Sequence, residues 1–259
     1  MSSSLFDRLP EWLRPVARPA SPEPDTVEIE HEGRVMPLRF QRSPRARRAS
    51  LRVDPAGRRI VLVVPERMSR AIALAFAASQ ALWIARRLDR LPERRPFVDG
   101  AIVPYRGEPH RLRHRPEARG TVWIETGELH VAGDAAHLDR RLRDWLAARA
   151  RETAVPLVQA KAARAGRKVT RLTIRDMRSR WGSCGRNGAI ALSWRLILAP
   201  PEVLDYLVAH EVAHLVHPNH SPRFWAEAAR LCDGSLEAAE TWLKRNGESL
   251  FQYGAGPSP

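Results

Sequence analysis

The chain has 259 residues, 44% of them hydrophobic, enough for one large domain or two small ones with a real core, and this excludes an intrinsically disordered chain. Its 43 Lys+Arg exceed 29 Asp+Glu for a net charge of +14, and because only Lys161, Lys168 and Lys244 are lysines the excess is almost all arginine. That charge keeps nucleic acid and acidic surfaces among the partners to consider, although it is spread along the chain and not gathered in one block.

Residues 1–25 carry Pro10, Pro15, Pro19, Pro22 and Pro24 with few large apolar groups, the pattern of a flexible leader. Short alternating segments follow at 27–31, 35–40, 50–54 and 60–64, with Gly33 and Gly57 at turn positions, and are expected to form an antiparallel meander. Ser69 can cap a helix running to about Leu91, in which Ile72, Phe76, Trp83, Ile84 and Leu88 recur at helical spacing. A second β-rich stretch covers 101–112 and 121–131, then an Arg/Ala/Leu-rich helix is expected over 136–163. Segments 169–174 and 190–194 read as strands flanking a loop at 176–188. Pro200 and Pro201 open a helix where a missing N–H costs least, and helices at about 222–231 and 236–245 precede a Gly/Pro tail. No internal repeat is evident. The division expected is a leader at 1–25, a β-rich part at 26–134, a helical part at 135–250 and a tail at 251–259.

Cys184 and Cys232 are too few for a disulfide framework and fit a reducing compartment. No run reaches the roughly 20 apolar residues of a membrane helix, and Asp7, Pro10 and Glu11 do not suit a secretory signal. A soluble, cytoplasmic protein without a membrane partner is expected, its oligomeric state open.

Chemistry concentrates at His210-Glu211-Val212-Ala213-His214. Residues four apart share a helix face, so both imidazoles can address one ion, while Glu211 is offset by one residue and reaches a water without being a ligand. Two histidines follow, His217 and His220. On a continuing helix His217 would lie about 10.5 Å along the axis from His210, too far for one ion held by bonds of about 2.0–2.1 Å. Pro218 disfavours helix at His217, and the Pro218-Asn219 turn can swing His220 back over the metal. His220 is therefore the expected third ligand, and His217 a cap or a support for a ligand. Three histidines leave a position for water, which zinc acidifies and Glu211 can deprotonate, so metal-assisted hydrolysis follows. A closed four-ligand site recruiting Cys184 or Cys232 is the competing picture.

Three segments, Arg178-Ser179-Arg180-Trp181-Gly182-Ser183-Cys184, Trp194-Arg195-Leu196-Ile197-Leu198, and His210 through His220 to Ser221-Pro222-Arg223-Phe224-Trp225, together resemble the YgjP-like family. Its members are bacterial proteins with a zincin-type metallopeptidase domain, related to SprT-like and WLM proteases. The likeness is dense over 176–225 and looser over 42–250, so that 26–250 can be a single domain. It implies an α+β fold, a zincin-like metallopeptidase domain with a β-rich N-terminal part, one zinc ion held by His210, His214 and His220, Glu211 as general base, and a protein or peptide substrate.

Zincins commonly align the substrate backbone on a strand before the active helix, a place occupied here by 189–194, which brings Ser193 to the site; the same segment also suits an ordinary internal strand. Arg180 can stabilise a developing oxyanion or pair with Asp176 or Asp205 to hold its loop. Trp181, Phe224 and Trp225 are read as core. Two alternatives remain: a zinc-dependent nucleotide phosphohydrolase, for which no Gly-rich phosphate loop is present, and a basic DNA-associated protein whose proteolysis DNA stimulates, by analogy with SprT-like relatives that act on DNA–protein crosslinks.

Overall fold

The computed structural model describes residues 26–54, 59–177 and 179–254, so the expected leader at 1–25 and Arg178 lie outside the described residues. The chain divides into two compact units, Met1–Arg52 with Ile60–Ala85, and Val53–Arg59 with Arg86–Pro259. The strand-rich N-terminal part and helical C-terminal part make an α+β architecture consistent with a zincin-like domain.

In the first unit, strands β1 (Thr26–His31) and β2 (Arg34–Ser43) form an antiparallel hairpin. Its turn places Glu32 (φ 50°) and Gly33 (φ 76°) both in the left-handed region, which a two-residue hairpin turn requires and glycine tolerates. Val27, Ile29, Met36, Leu38 and Phe40 alternate onto the buried face. Strands β3 (Ser50–Asp54) and β4 (Arg59–Pro65) complete the order β1-β2-β4-β3, in which β2 and β4 are parallel. The expected meander is thus corrected. β4 inserts beside β2 because its run Ile60, Leu62, Val63 and Val64 is buried, and a central place suits it better than an edge.

Helix α1 (Arg70–Ser79) is capped by Ser69, whose Oγ accepts from the Ile72 N–H at 3.3 Å. The single helix expected to Leu91 stops at Gln80, and α2 (Ala81–Asp89) starts afresh. Ala73, Ala77, Ala81 and Ile84 are the buried residues, whereas Ile72 and Trp83 face out. The small residues carry the contact, an outcome that counting large apolar side chains misses.

The second unit opens with β5 (Ile102–Tyr105), β6 (Glu108–Arg115), β7 (Val122–Glu125) and β8 (Glu128–Ala132), in the order β5-β6-β8-β7 with β6 and β8 parallel. This repeats the strand order of the first sheet although no sequence repeat announces it. Arg106-Gly107 and Thr126-Gly127 make the same left-handed turns as Glu32-Gly33.

Helix α3 (Leu138–Arg164) then buries Leu138, Leu142, Leu146, Ala150, Ala154, Val158 and Ala162 along one stripe of period four. A three-stranded sheet, β9 (Arg171–Arg175), β10 (Gly182–Cys184) and β11 (Ala189–Ser193), follows in the order β10-β11-β9. Helices α4 (Pro201–Ala213), α5 (Pro222–Leu231) and α6 (Leu236–Leu250) complete the unit.

One core joins Val103, Leu112, Leu129 and Val131 of the sheet to Leu142, Leu146, Trp194, Leu207, Val208 and Phe224. The sheet β5–β8 therefore shares the helical core, and position 134 is no boundary between compact units; the division falls near Ala85. Folded structure also runs past the expected end at Leu250, since Phe251, Gln252 and Tyr253 are buried. Among the described residues no single helix is long and apolar enough to cross a membrane.

Candidate metal and peptidase site

Helix α4 is the centre of the unit. Every residue from Val203 to Ala209 is buried, so this helix packs all round and its last turn cannot shift without disturbing the core. Pro201 at its first turn starts it, and tightened turns end it: the Val216 and His217 N–H groups both donate to the Ala213 carbonyl. Ser221 then caps α5 by accepting from the Phe224 N–H. The nine residues between His210 and His220 therefore double back.

The ring nitrogens of His210, His214 and His220 converge within 4.8 Å of one another. His210 Nε2 and His220 Nε2 are 3.2 Å apart, close to the edge of about 3.3 Å that a tetrahedron with zinc–nitrogen bonds of 2.0–2.1 Å would have. His214 Nδ1 lies 3.2 Å from the His217 carbonyl. A carbonyl only accepts, so Nδ1 carries the hydrogen and Nε2 keeps its lone pair for an ion. His217 thus supports His214 through its backbone, not its ring.

Burial pushes His210 down to about 4, with repulsion from His214 and His220 adding, and burial likewise lowers His214. Both rings are neutral at neutral pH, the form that ligates. Phe224 holds the three rings from below, with centroids 4.9, 4.5 and 4.7 Å from His210, His214 and His220. Trp225 stacks on His220. Sequence reasoning assigned these aromatics to the core, where Phe224 does lie; their second task, fixing imidazole orientation, becomes visible only with α5 folded back on α4.

Glu211 is 4% exposed, and its Oε2 has no hydrogen-bond partner. Burial drives its carboxyl up to about 7, against a smaller opposing pull from Arg180. His210 Nδ1 is also buried without a partner. The unpartnered Glu211 Oε2 beside three convergent imidazoles marks a place suited to an external group. The donor set fits one divalent ion. Neither cysteine joins it among the described residues. The Cys184 thiol is pushed up to about 11 by burial and by the Glu211 charge, and Cys232 donates to Asp205 at 3.4 Å, so the four-ligand picture finds no support.

A cleft of about 1040 Å³ opens over these groups, walled by β10, the turn 185–188, Arg167 and Lys168. The substrate strand expected at 189–194 is corrected here. β11 is flanked on both sides, antiparallel to β10 and parallel to β9, so its own edges are used. Ser193 is 1% exposed and its Oγ accepts from the Arg195 N–H, capping the turn that follows, so its side chain is structural.

The edge on the cleft is β10. Trp181 accepts from Ser193 and Gly185 donates to Ala189, so by strand alternation Gly182 and Cys184 direct their N–H and C=O groups away from β11. Gly182 is required there, because a Cβ would come within 2.8 Å of Glu211 Cδ. Sequence reasoning placed 182–184 in a loop; the three-residue strand is too short to show a period.

Arg180 is exposed and makes no ion pair among the described residues. Its suggested structural partners are taken: Asp176 by Arg195 and Trp194, and Asp205 by Lys161. What remains for Arg180 is its field on Glu211.

The profile of the YgjP-like metallopeptidase domain matches residues 47–246, more than three quarters of the chain. The chain belongs to the YgjP-like family. No curated protein and no solved structure matches it at a significant level. YgjP-like membership makes this a metallopeptidase domain and implies a divalent metal, typically zinc, and the three-histidine cluster is a group able to hold such an ion.

Proposed function

We propose that this YgjP-like protein is a zinc-dependent peptidase in which His210, His214 and His220 hold the ion and Glu211 is the general base. The observation that carries this reading is the convergence of three imidazoles beside a buried carboxyl whose Oε2 has no partner, under a strand edge that no described strand pairs. When bound, zinc supplies Lewis acidity, which polarises a carbonyl and acidifies water toward a pKa of about 7.

The rest falls to the chain's own residues. A peptide segment adds to the free edge of β10, pairing with Gly182 and Cys184 and bringing one carbonyl beside the histidines. Glu211 Oε2 takes a proton from the attacking water and returns it to the leaving amine, a task suited to a carboxyl that titrates near neutrality. Arg180, exposed and without an ion pair among the described residues, acts electrostatically on Glu211 and can offset negative charge growing on the carbonyl oxygen. The nucleotide phosphohydrolase alternative has no comparable observation behind it.

The test is cleavage of an unfolded model protein by zinc-loaded wild type beside Glu211→Gln at matched metal content, each with and without single-stranded DNA. Cleavage by the wild type alone supports the reading, and a DNA-dependent rate would join the basic charge to the activity. No cleavage by either protein with zinc bound would sink it, and nucleoside triphosphate hydrolysis would then be measured.

A further inference from the structure

We propose that the cleft selects acidic peptide segments, with substrate carboxylates two to four residues from the cleaved bond received by Arg167, Lys168 and Arg186. The inference rests on the peptidase reading and adds its substrate class.

The charge inventory of the cleft is one-sided. Its lining includes Arg167, Lys168 and Arg186, against Glu211 as the one carboxylate, and Glu211 belongs to the histidine centre. None of the three cations makes an ion pair among the described residues. Their neighbours behave differently: Arg164 pairs with Asp233, Lys161 with Asp205 and Asp233, and Arg230 with Glu227. These three are tied into the fold by acids, and among the described residues the three cations on the cleft wall have no such partner. A concave wall of one sign concentrates the opposite charge and steers it inward.

The three residues come from two segments that the fold pins together. The turn 185–188 closes with a Gly188 N–H to Gly185 carbonyl bond of 2.9 Å. It is fastened to the segment after α3, where Thr170 donates its N–H to the Gly188 carbonyl and its hydroxyl to the Asn187 carbonyl at 2.9 Å. Gly188 has φ 77°, and a Cβ there would come within 3.2 Å of the Lys168 carbonyl oxygen. The basic wall is thus built with close backbone contact.

Its position along the cleft sets the register. Gly182 lies against Glu211, at the reacting end of β10. From there the strand runs through Cys184 into the turn carrying Arg186, at about 3.3 Å per residue. A peptide paired with β10 meets the cations two to four residues from the reacting carbonyl, on one flank only. Nucleic acid would also be drawn by the charge, but it has no backbone amide ladder with which to use the outward N–H and C=O groups of Gly182 and Cys184.

The experiment uses the zinc-loaded full chain and matched peptides carrying Glu, Ala or Lys at positions two to four on either flank of one cleavable bond. The expected result is a kcat/KM ratio of Glu over Lys of about tenfold on one flank, near unity on the other, and falling as salt is raised. The charge reversal Arg167→Glu with Arg186→Glu inverts the ratio, and Arg186→Ala alone lowers it. Binding of the same peptides to Glu211→Gln, read by fluorescence anisotropy, reports the preference without turnover.

Cleavage with no charge preference, or a preference unchanged by the reversal, overturns the inference and leaves the peptidase reading standing. Preferential binding of acidic peptides that the wild type never cleaves does the opposite. A DNA oligonucleotide that binds through Arg167 and Arg186 while peptide charge is ignored overturns the acidic-peptide assignment in favour of nucleic acid.

Discussion

Helix α4 carries two buried polar centres, and they are finished to different degrees. At Asp205 every need is met: Lys161 Nζ lies 2.6 Å from Oδ1, while Oδ2 accepts from the Asp233 N–H at 2.8 Å and from Cys232. Lys161 itself also bonds the Leu231 carbonyl and Asp233. One turn and a half further on, at His210 and Glu211, a ring nitrogen and a carboxylate oxygen are buried with no partner. Both centres cost desolvation, but only the first recovers it from the chain. The lesson is that a saturated network holds the helix still so that an unsaturated one can be offered to a ligand.

Glu211→Gln should produce the largest effect. It keeps the shape of the open centre and removes its base, so peptide cleavage should fall by about 10²–10⁴-fold with zinc content unchanged by metal analysis. Loss of zinc along with activity would instead make Glu211 part of the metal's hold.

The closed centre is tested by Lys161→Met, which strands the Asp205 charge. Stability should drop by about 3–5 kcal/mol in urea titrations, and adding Asp205→Asn should recover part of the loss. A drop below about 1 kcal/mol would mean that Asp205 is not held as a buried ion.

A third measurement sets the two centres apart by pH. In metal-free protein Glu211 titrates near 7 when folded and near 4.5 when unfolded. Its neutral form is therefore favoured by folding, and that contribution is full below about pH 4.5 and lost as pH rises through about 7. At pH 8, metal-free Glu211→Gln should be the more stable protein, by up to roughly 3 kcal/mol, and the difference should vanish near pH 4. Comparing the two proteins cancels the opposite contribution of His210, which weakens the fold as pH falls from about 6.5 to about 4.

Gly182→Ala presses a methyl group on the Glu211 carboxylate and should lower kcat/KM by about tenfold or more with zinc retained. The smallest effect belongs to Asp233, held down to about 2 by Lys161 first and Arg164 second. Its contribution is present above about pH 3.8 and lost as pH falls through about 2, so Asp233→Asn should flatten acid unfolding in that window. Because its carboxylate is exposed, the change should stay below about 1 kcal/mol.

Much of the candidate site was legible in the sequence because its signals are local. The four-residue interval between His210 and His214 needs only helix periodicity, and Pro218 with Asn219 supplies the reversal that His220 requires. The Ser69 cap and the Pro201 start are equally local. Gly182, Phe224 and the carbonyl of His217 were not legible as parts of the site. Glycine in a loop, phenylalanine in a helix and a main-chain oxygen carry no chemical label until another segment lies against them.

The sequence alone determined that Ser69 and Pro201 start helices, that Gly33 turns a hairpin, and that His210 and His214 share a helix face, since each depends on residues within about one turn of one another. Only the tertiary structure decided that β2 and β6 take parallel neighbours, that β10 and not β11 offers its edge, and that Asp176 and Asp205 go to Arg195 and Lys161 and leave Arg180 without an ion pair among the described residues. Those outcomes depend on pairings between segments up to tens of residues apart, chosen by which arrangement buries the most apolar surface and leaves the fewest polar groups unmatched, and no local window of sequence contains that competition.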